Sequence, residues 1–159
     1  MITVTFGTIP YPFDRAVNWL SILIKKGLIN EPLVVQYGKT EIMLLQNYPQ
    51  ITLYSIVTTN EMERLVEKSR LVISHAGQGS TRFLAETKTS FVLIPRLAAY
   101  REHVDDHQLW FAQSVEPFGV KHCLSLESLE EAIVNPPLPI TKPLFNEPKL
   151  SDYLLEKYS

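Results

Sequence analysis

Short apolar runs recur along the chain, separated by segments whose apolar residues fall on a single helical stripe. Residues 2–6, 33–37, 51–57, 71–74 and 91–95 are short runs rich in β-branched and aromatic residues, and residues 120–124 form a weaker sixth. Such runs, largely without polar alternation, predict strands buried on both faces, as in a parallel sheet. Between them lie helix signals. Val17, Leu20, Ile24 and Leu28 share one stripe, with Asp14 as the expected cap and Gly27 near the end. Thr58-Thr59-Asn60-Glu61 is a capping-box pattern ahead of Met62, Leu65 and Val66. Ser128-Leu129-Glu130-Glu131 offers another around residues 125–134. Residues 38–49 read as loop with room for one short element.

Strand–helix alternation implies right-handed βαβ units: an α/β, Rossmann-like parallel sheet with helices on both faces. Ligands of such sheets bind beyond the carboxyl ends of the strands. Gly7, Gly38, Gly77 and Gly79 follow predicted strands and are the site candidates, whereas Gly27 and Gly119 follow predicted helices. Residues 1–135 read as one domain. Residues 136–159 read as a Pro-rich C-terminal strap that packs back on it and ends in a short amphipathic helix, 150–158. Five of the eleven prolines lie between 136 and 148.

Composition narrows the function classes. With 159 residues, 45% of them hydrophobic and 20% charged, the chain can bury a core. A net charge of −2 with scattered Lys and Arg argues against a nucleic-acid binder. One cysteine, Cys123, excludes an internal disulfide and suits a reducing compartment. The first residues show no secretory signal. The longest apolar stretch, 16–24, is interrupted by Asn18 and Ser21 and falls far below the ~20 residues a bilayer needs. Trp19 and Ile22 read as core.

The strongest chemical feature is Leu71-Val72-Ile73-Ser74-His75-Ala76-Gly77-Gln78-Gly79-Ser80: a buried strand, a Gly-x-Gly turn, then a helix beginning near Ser80. Glycines let the backbone approach a ligand, and a helix N-terminus supplies free N–H groups and a positive dipole, so the turn suits a phosphate or diphosphate. A dinucleotide fingerprint would need a third glycine and an acid about 20 positions on. Position 82 is Arg and no acid precedes Glu102 in the Arg96 region, so an NAD site is disfavoured. After the run 91–95 comes a polar loop containing His103, Asp105, Asp106, His107 and Gln108. His103 and His107 have helical metal-pair spacing, but a helix capped by Asp105 or Asp106 would leave His103 outside and break that geometry. Gln108, in the first turn of that helix, is expected to aim its amide at the crevice and suits neutral hydroxyls, as on a sugar. Gly7-Thr8 and Gln36-Tyr37-Gly38 share the same edge.

At these residues the chain resembles the C-terminal domain of family 28 glycosyltransferases, above all its small split members. These include the catalytic subunit of the two-component UDP-N-acetylglucosamine transferase of lipid-linked oligosaccharide synthesis, and bacterial exopolysaccharide and capsule subunits. Val4-Thr5-Phe6-Gly7-Thr8 with Phe13-Asp14-Arg15, Val35-Gln36-Tyr37-Gly38, the strand and turn Val72–Ser80, and Pro95-Arg96 with Glu102–Gln108 carry the likeness in order over about residues 1–120.

The resemblance implies the donor half of a GT-B enzyme. It would bind a UDP-sugar (UDP-N-acetylglucosamine or a related hexose or hexuronate) and transfer the sugar with inversion to a lipid-linked acceptor. A membrane-anchored partner subunit would hold that acceptor, placing this chain in the cytoplasm, peripheral to the inner face of a membrane. Neither metal nor cofactor is expected. By the same resemblance His75, Gly77, Gly79 and Ser80 fall on the diphosphate side, His107 and Gln108 contact the donor sugar, and Gly7 and Thr8 face the donor. His75 is the candidate catalytic base, a role the partner could equally fill. One departure stands out: the acid that binds the ribose hydroxyls in the family is Phe83 here, and Lys88-Thr89-Ser90 replaces Gly-Lys-Pro. That departure motivates the alternative of a non-catalytic, degenerate partner subunit that stabilises or regulates another transferase. A free-standing nucleotide- or phosphate-binding domain is the third reading.

Overall fold

The computed structural model describes residues 1–141 and 144. Six parallel strands, β1 (Ile2–Thr5), β2 (Leu33–Gln36), β3 (Ile51–Tyr54), β4 (Leu71–His75), β5 (Phe91–Ile94) and β6 (Lys121–His122), form one sheet in the order β3-β2-β1-β4-β5-β6. The chain winds outward from β1 through β2 to β3, returns to β4 beside β1, then continues to β6. The two directions of winding part between β1 and β4, the switch point where doubly wound sheets bind ligands. Thr5 there pairs in register with Gln36 on one side and Ser74 on the other.

The described residues also form five α-helices: α1 (Asp14–Lys25), α2 (Thr59–Lys68), α3 (Gln78–Ala85), α4 (His107–Val115) and α5 (Leu126–Val134). Leu20 and Leu23 of α1 and Leu129 and Ile133 of α5 pack with Ile2, Val4, Val35 and Ile73 on one face of the sheet. Val66 of α2, Leu84 of α3 and Phe111 of α4 pack with Val72, Phe91 and Leu93 on the other. Strands β1, β2, β4 and β5 are buried along their whole length, as their continuous hydrophobicity predicts. Strand β3 differs. As an edge strand it alternates half-buried and exposed positions, and it stops at Tyr54 rather than reaching 57.

Local signals vary in how they are realised. Thr58 and Glu61 close the expected capping box, with Glu61 N–H donating to Thr58 Oγ1 at 3.2 Å and Thr58 N–H to the Glu61 carboxylate at 2.8 Å. The box on α5 lies three residues earlier than expected, between Ser125 and Ser128. Asp14 is the first residue of α1 rather than its cap; Phe13 holds the cap position, and its N–H donates to Thr40 Oγ1 at 3.0 Å. Residues 38–49 contain one short 3₁₀ turn, Met43–Leu45. Trp19 packs on the core beneath the Arg15 guanidinium, 4.8 Å from its ring, whereas Ile22 is 39% exposed. Cys123 is buried, and burial pushes its thiol up to about 11, an inert packing group.

The described part of the tail lies on the α2–α4 face: Ser90 Oγ donates to Pro137 O at 2.5 Å, and Ile140 and Leu144 pack on that core cluster. The amphipathic stretch 150–158 lies outside the described residues. No helix among the described residues is long and apolar enough to cross a membrane.

Candidate active site

Every expected site residue lies at or beyond the carboxyl ends of the strands, but in two clefts. The larger, about 440 Å³, is lined by Gly7 and Thr8 after β1, by residues 56–59 and Met62 after β3, and by His75, Gly77, Gly79, Ser80 and Phe83 after β4. The smaller, about 250 Å³, holds His107 and Gln108 with His103, Gln78 and Phe111. Both include Ile9 and Gly77, so they adjoin across the Gly-x-Gly turn. That turn starts α3 two residues earlier than expected: Gly77 is the cap residue, and no side chain caps the helix. The N–H groups of its first turn have no intrahelical acceptors, an arrangement that suits an anion.

His75 is the buried centre of this edge. Its ring lies between the two glycines that precede the clefts: a Cβ built on Gly7 or on Gly77 would collide with it. Gln108 Oε1 accepts from Ala76 N–H and from Arg96 N–H, each at 3.1 Å. With its oxygen so placed, the Gln108 amide nitrogen donates to His75 Nδ1 at 3.1 Å. Nδ1 is therefore an acceptor and Nε2 carries the proton, 3.2 Å from Ser80 Oγ. Ser80 accepts that bond and keeps its own hydroxyl proton for a ligand.

This arrangement bears on two of the expected roles. In it the His75 ring is occupied on Nδ1 and presents its Nε2 proton to Ser80. Gln108 is buried and ties the strand ends of β4 and β5 together through His75, Ala76 and Arg96; its amide oxygen carries two of these bonds, and its side chain lines the small cleft. His107, by contrast, is exposed in the small cleft. His103 lies outside α4, which begins at His107. Instead of forming a helical metal pair, both imidazoles turn to Asp105, at 3.1 and 2.8 Å. Among the described residues no group of three or more His, Cys, Asp and Glu is placed to hold a metal ion.

Burial, reinforced by the Arg96 and His103 charges, lowers the His75 pKa to about 3. An unfolded-chain imidazole titrates near 6.5. Between those values the unfolded chain binds a proton that the folded chain does not. Stability is therefore complete above about pH 6.5 and falls toward pH 3, by up to ~1.4 kcal/mol per pH unit. Asp105, whose carboxylate accepts the His107 N–H and sits near His107 and His103, is held below its ordinary value and adds the same sign only at lower pH. Urea midpoints measured from about pH 8 to pH 5 test this. The wild type should weaken below 6.5 and His75→Gln should flatten the slope; equal slopes would contradict the assignment.

Two further groups, which the sequence motifs contain without revealing a role, hold this edge together. Arg96 is 1% exposed, and its guanidinium donates to the carbonyls of Phe6 (2.6 Å), Tyr11 (2.7 Å) and Glu102 (3.1 Å) while facing the Phe13 ring. Buried Glu102 in turn accepts from Arg15 and from Leu97 N–H. Gln36 accepts from Thr5 Oγ1 and donates to Gly7 O and Ser55 O, joining the ends of β1, β2 and β3. The signal was present: each is a polar residue at or just past the end of an apolar strand.

A doubly wound sheet with a glycine-lined cleft at its switch point, closed by an uncapped helix N-terminus, is the architecture of the C-terminal half of a GT-B glycosyltransferase. The chain belongs to the glycosyltransferase family 28 C-terminal domain family, whose model matches residues 1–151. The UDP-N-acetylglucosamine transferase subunit ALG13 of Cryptococcus neoformans var. neoformans serotype D is 30% identical, over 73% of this chain and 70% of its own. Among solved structures, the solution structure of ALG13 superposes with a TM-score of 0.62 at 20% identity, covering 99% of this chain and 96% of that one. The crystal structure of MurG from Acinetobacter baumannii gives 0.62 at 18% identity, covering 84% of this chain but 39% of MurG. These structures establish the fold.

Proposed function

We propose that this chain is the donor-binding half of a two-component glycosyltransferase. It binds a UDP-sugar, UDP-N-acetylglucosamine or a related hexose or hexuronate, and the sugar passes with inversion to a lipid-linked acceptor. A membrane-anchored partner subunit presents that acceptor and holds this chain at the inner membrane face. The observation that carries the reading is the pair of adjoining clefts sharing Gly77 at the start of α3. The nucleotide occupies the larger cleft, the diphosphate crosses Gly77, and the sugar enters the smaller cleft beside His107. Backbone N–H groups of α3 and the Ser80 hydroxyl meet the charge that develops on the departing diphosphate, the role a preorganised anion site plays in group transfer. The name of the 30%-identical relative, a UDP-N-acetylglucosamine transferase subunit, supports the donor and the two-component assembly.

Phe83 in the cleft favours one competing reading, a degenerate partner subunit without donor binding. Thermal stability with UDP, UDP-sugars and NAD separates them. At 100 times its Kd a ligand stabilises the fold by ~2.7 kcal/mol, roughly 5–10 °C for a domain of this size. UDP should raise Tm and NAD should not. No shift with UDP, alone or with the membrane partner, would favour the degenerate reading.

A further inference from the structure

None of the residues lining the larger cleft is Asp, Glu, Lys or Arg. From the α3 N-terminus the cleft runs outward to Phe83, about one helical turn past Ser80. Met62 of α2 and the exposed Ile56 face the same space. Phe83 and Met62 are anchored on the core beneath, so this wall is fixed and apolar. The flanking carboxylates are engaged elsewhere: Glu61 accepts from Thr58 N–H, and Glu86 pairs with Arg82 at the exposed far end of α3. Among the neutral polar groups, Thr58 Oγ1 caps α2 and the Gln36 amide joins three strand ends, while the Thr8, Thr59 and Ser80 hydroxyls that also line the cleft carry no charge. A diphosphate seated on α3 would place its pentose against this wall, where the structure offers C–H and aromatic contacts but no charged acceptor for a vicinal diol.

Resting on the donor-binding reading above, we propose that Phe83, Met62 and Ile56 make the nucleoside end of the site indifferent to the 2′-hydroxyl. Deoxyribonucleoside diphosphates, and sugars carried on them, are then accepted as readily as their ribonucleotide counterparts. A carboxylate gripping the diol would impose about a 10- to 100-fold preference for ribose; an apolar wall imposes almost none.

Calorimetric titration of the full chain with UDP, dUDP, dTDP and inorganic pyrophosphate tests this. The wild type should bind UDP and dUDP within about threefold of each other. Phe83→Glu should create a preference for UDP over dUDP of about tenfold or more, with pyrophosphate binding little changed. Phe83→Leu, which keeps the wall apolar, should leave the ratio near one. A wild-type preference for UDP above about tenfold overturns this proposal and leaves donor binding intact. Failure of every nucleotide to bind, with or without the membrane partner, overturns the donor-binding reading itself.

Discussion

Replacing Gly77 by alanine should weaken the proposed UDP binding at least about tenfold and lower stability by about 1–3 kcal/mol, the usual cost of forcing an extra methyl into a packed site. The methyl would overlap the His75 ring, and that ring cannot swing aside. It is buried and held at one nitrogen by Gln108 and at the other by Ser80. Displacing it frees the Ser80 hydroxyl from its orienting donor, at the place proposed for the diphosphate. Gly7→Ala attacks the same ring from the other side and adds the strain of φ +71° on a non-glycine residue, a further ~1–2 kcal/mol. Gly79→Ala provides the contrast, because a Cβ there meets nothing within 4 Å and the residue is helical. It should leave stability unchanged or raise it by up to ~1 kcal/mol. Urea unfolding of the three variants, with UDP titration of Gly77→Ala, decides the matter. If Gly77→Ala binds UDP as the wild type does, the wedged imidazole has no role in the site.

Arg96→Leu should be the most destabilising single change on the ligand edge, costing about 3–5 kcal/mol, a large share of the ~5–15 kcal/mol typical of a domain. The substitution leaves the carbonyls of Phe6, Tyr11 and Glu102 without their donor, and unpaired buried acceptors cost about 1–3 kcal/mol each. Those carbonyls belong to the loop after β1 and the loop after β5, so the segment carrying His103 and His107 loosens with them. Burial lowers the guanidinium pKa to about 10, with Glu102 opposing the shift, and it remains charged at neutral pH. Arg96→Lys should recover only part of the loss, because a single ammonium cannot reach three carbonyls with the planar guanidinium fork. Denaturant midpoints measure both variants; full recovery with lysine would show that charge alone, rather than the fork, is what the loops require.

Much of the fold was legible because its causes are local. The apolar runs, the stripe of α1, and the Thr58–Glu61 box act within a few residues of one another, and the sequence displays them directly. Misplacements followed the same logic. Asp14 looked like a cap, but Thr40, 27 residues from Phe13, meets the Phe13 N–H that helps set the start of α1. The run at 51–57 looked like a central strand, but only the strand order leaves β3 at an edge.

The amino-acid sequence by itself determined the doubly wound class, the Gly-x-Gly turn ahead of α3 and the edge of the sheet at which the clefts open. Periodicity, glycine placement and the carboxyl-edge rule need no distant partner. The tertiary structure alone decided what each polar side chain does there. It brought Gln108 to His75 across 33 residues and Arg96 to Phe6 across 90, and it gathered Phe83, Met62 and Ile56 around a cleft without a charge. These assignments depend on which strand ends become neighbours. A buried donor or acceptor must then bond to whatever the topology sets beside it, and that neighbour is written nowhere near it in the chain.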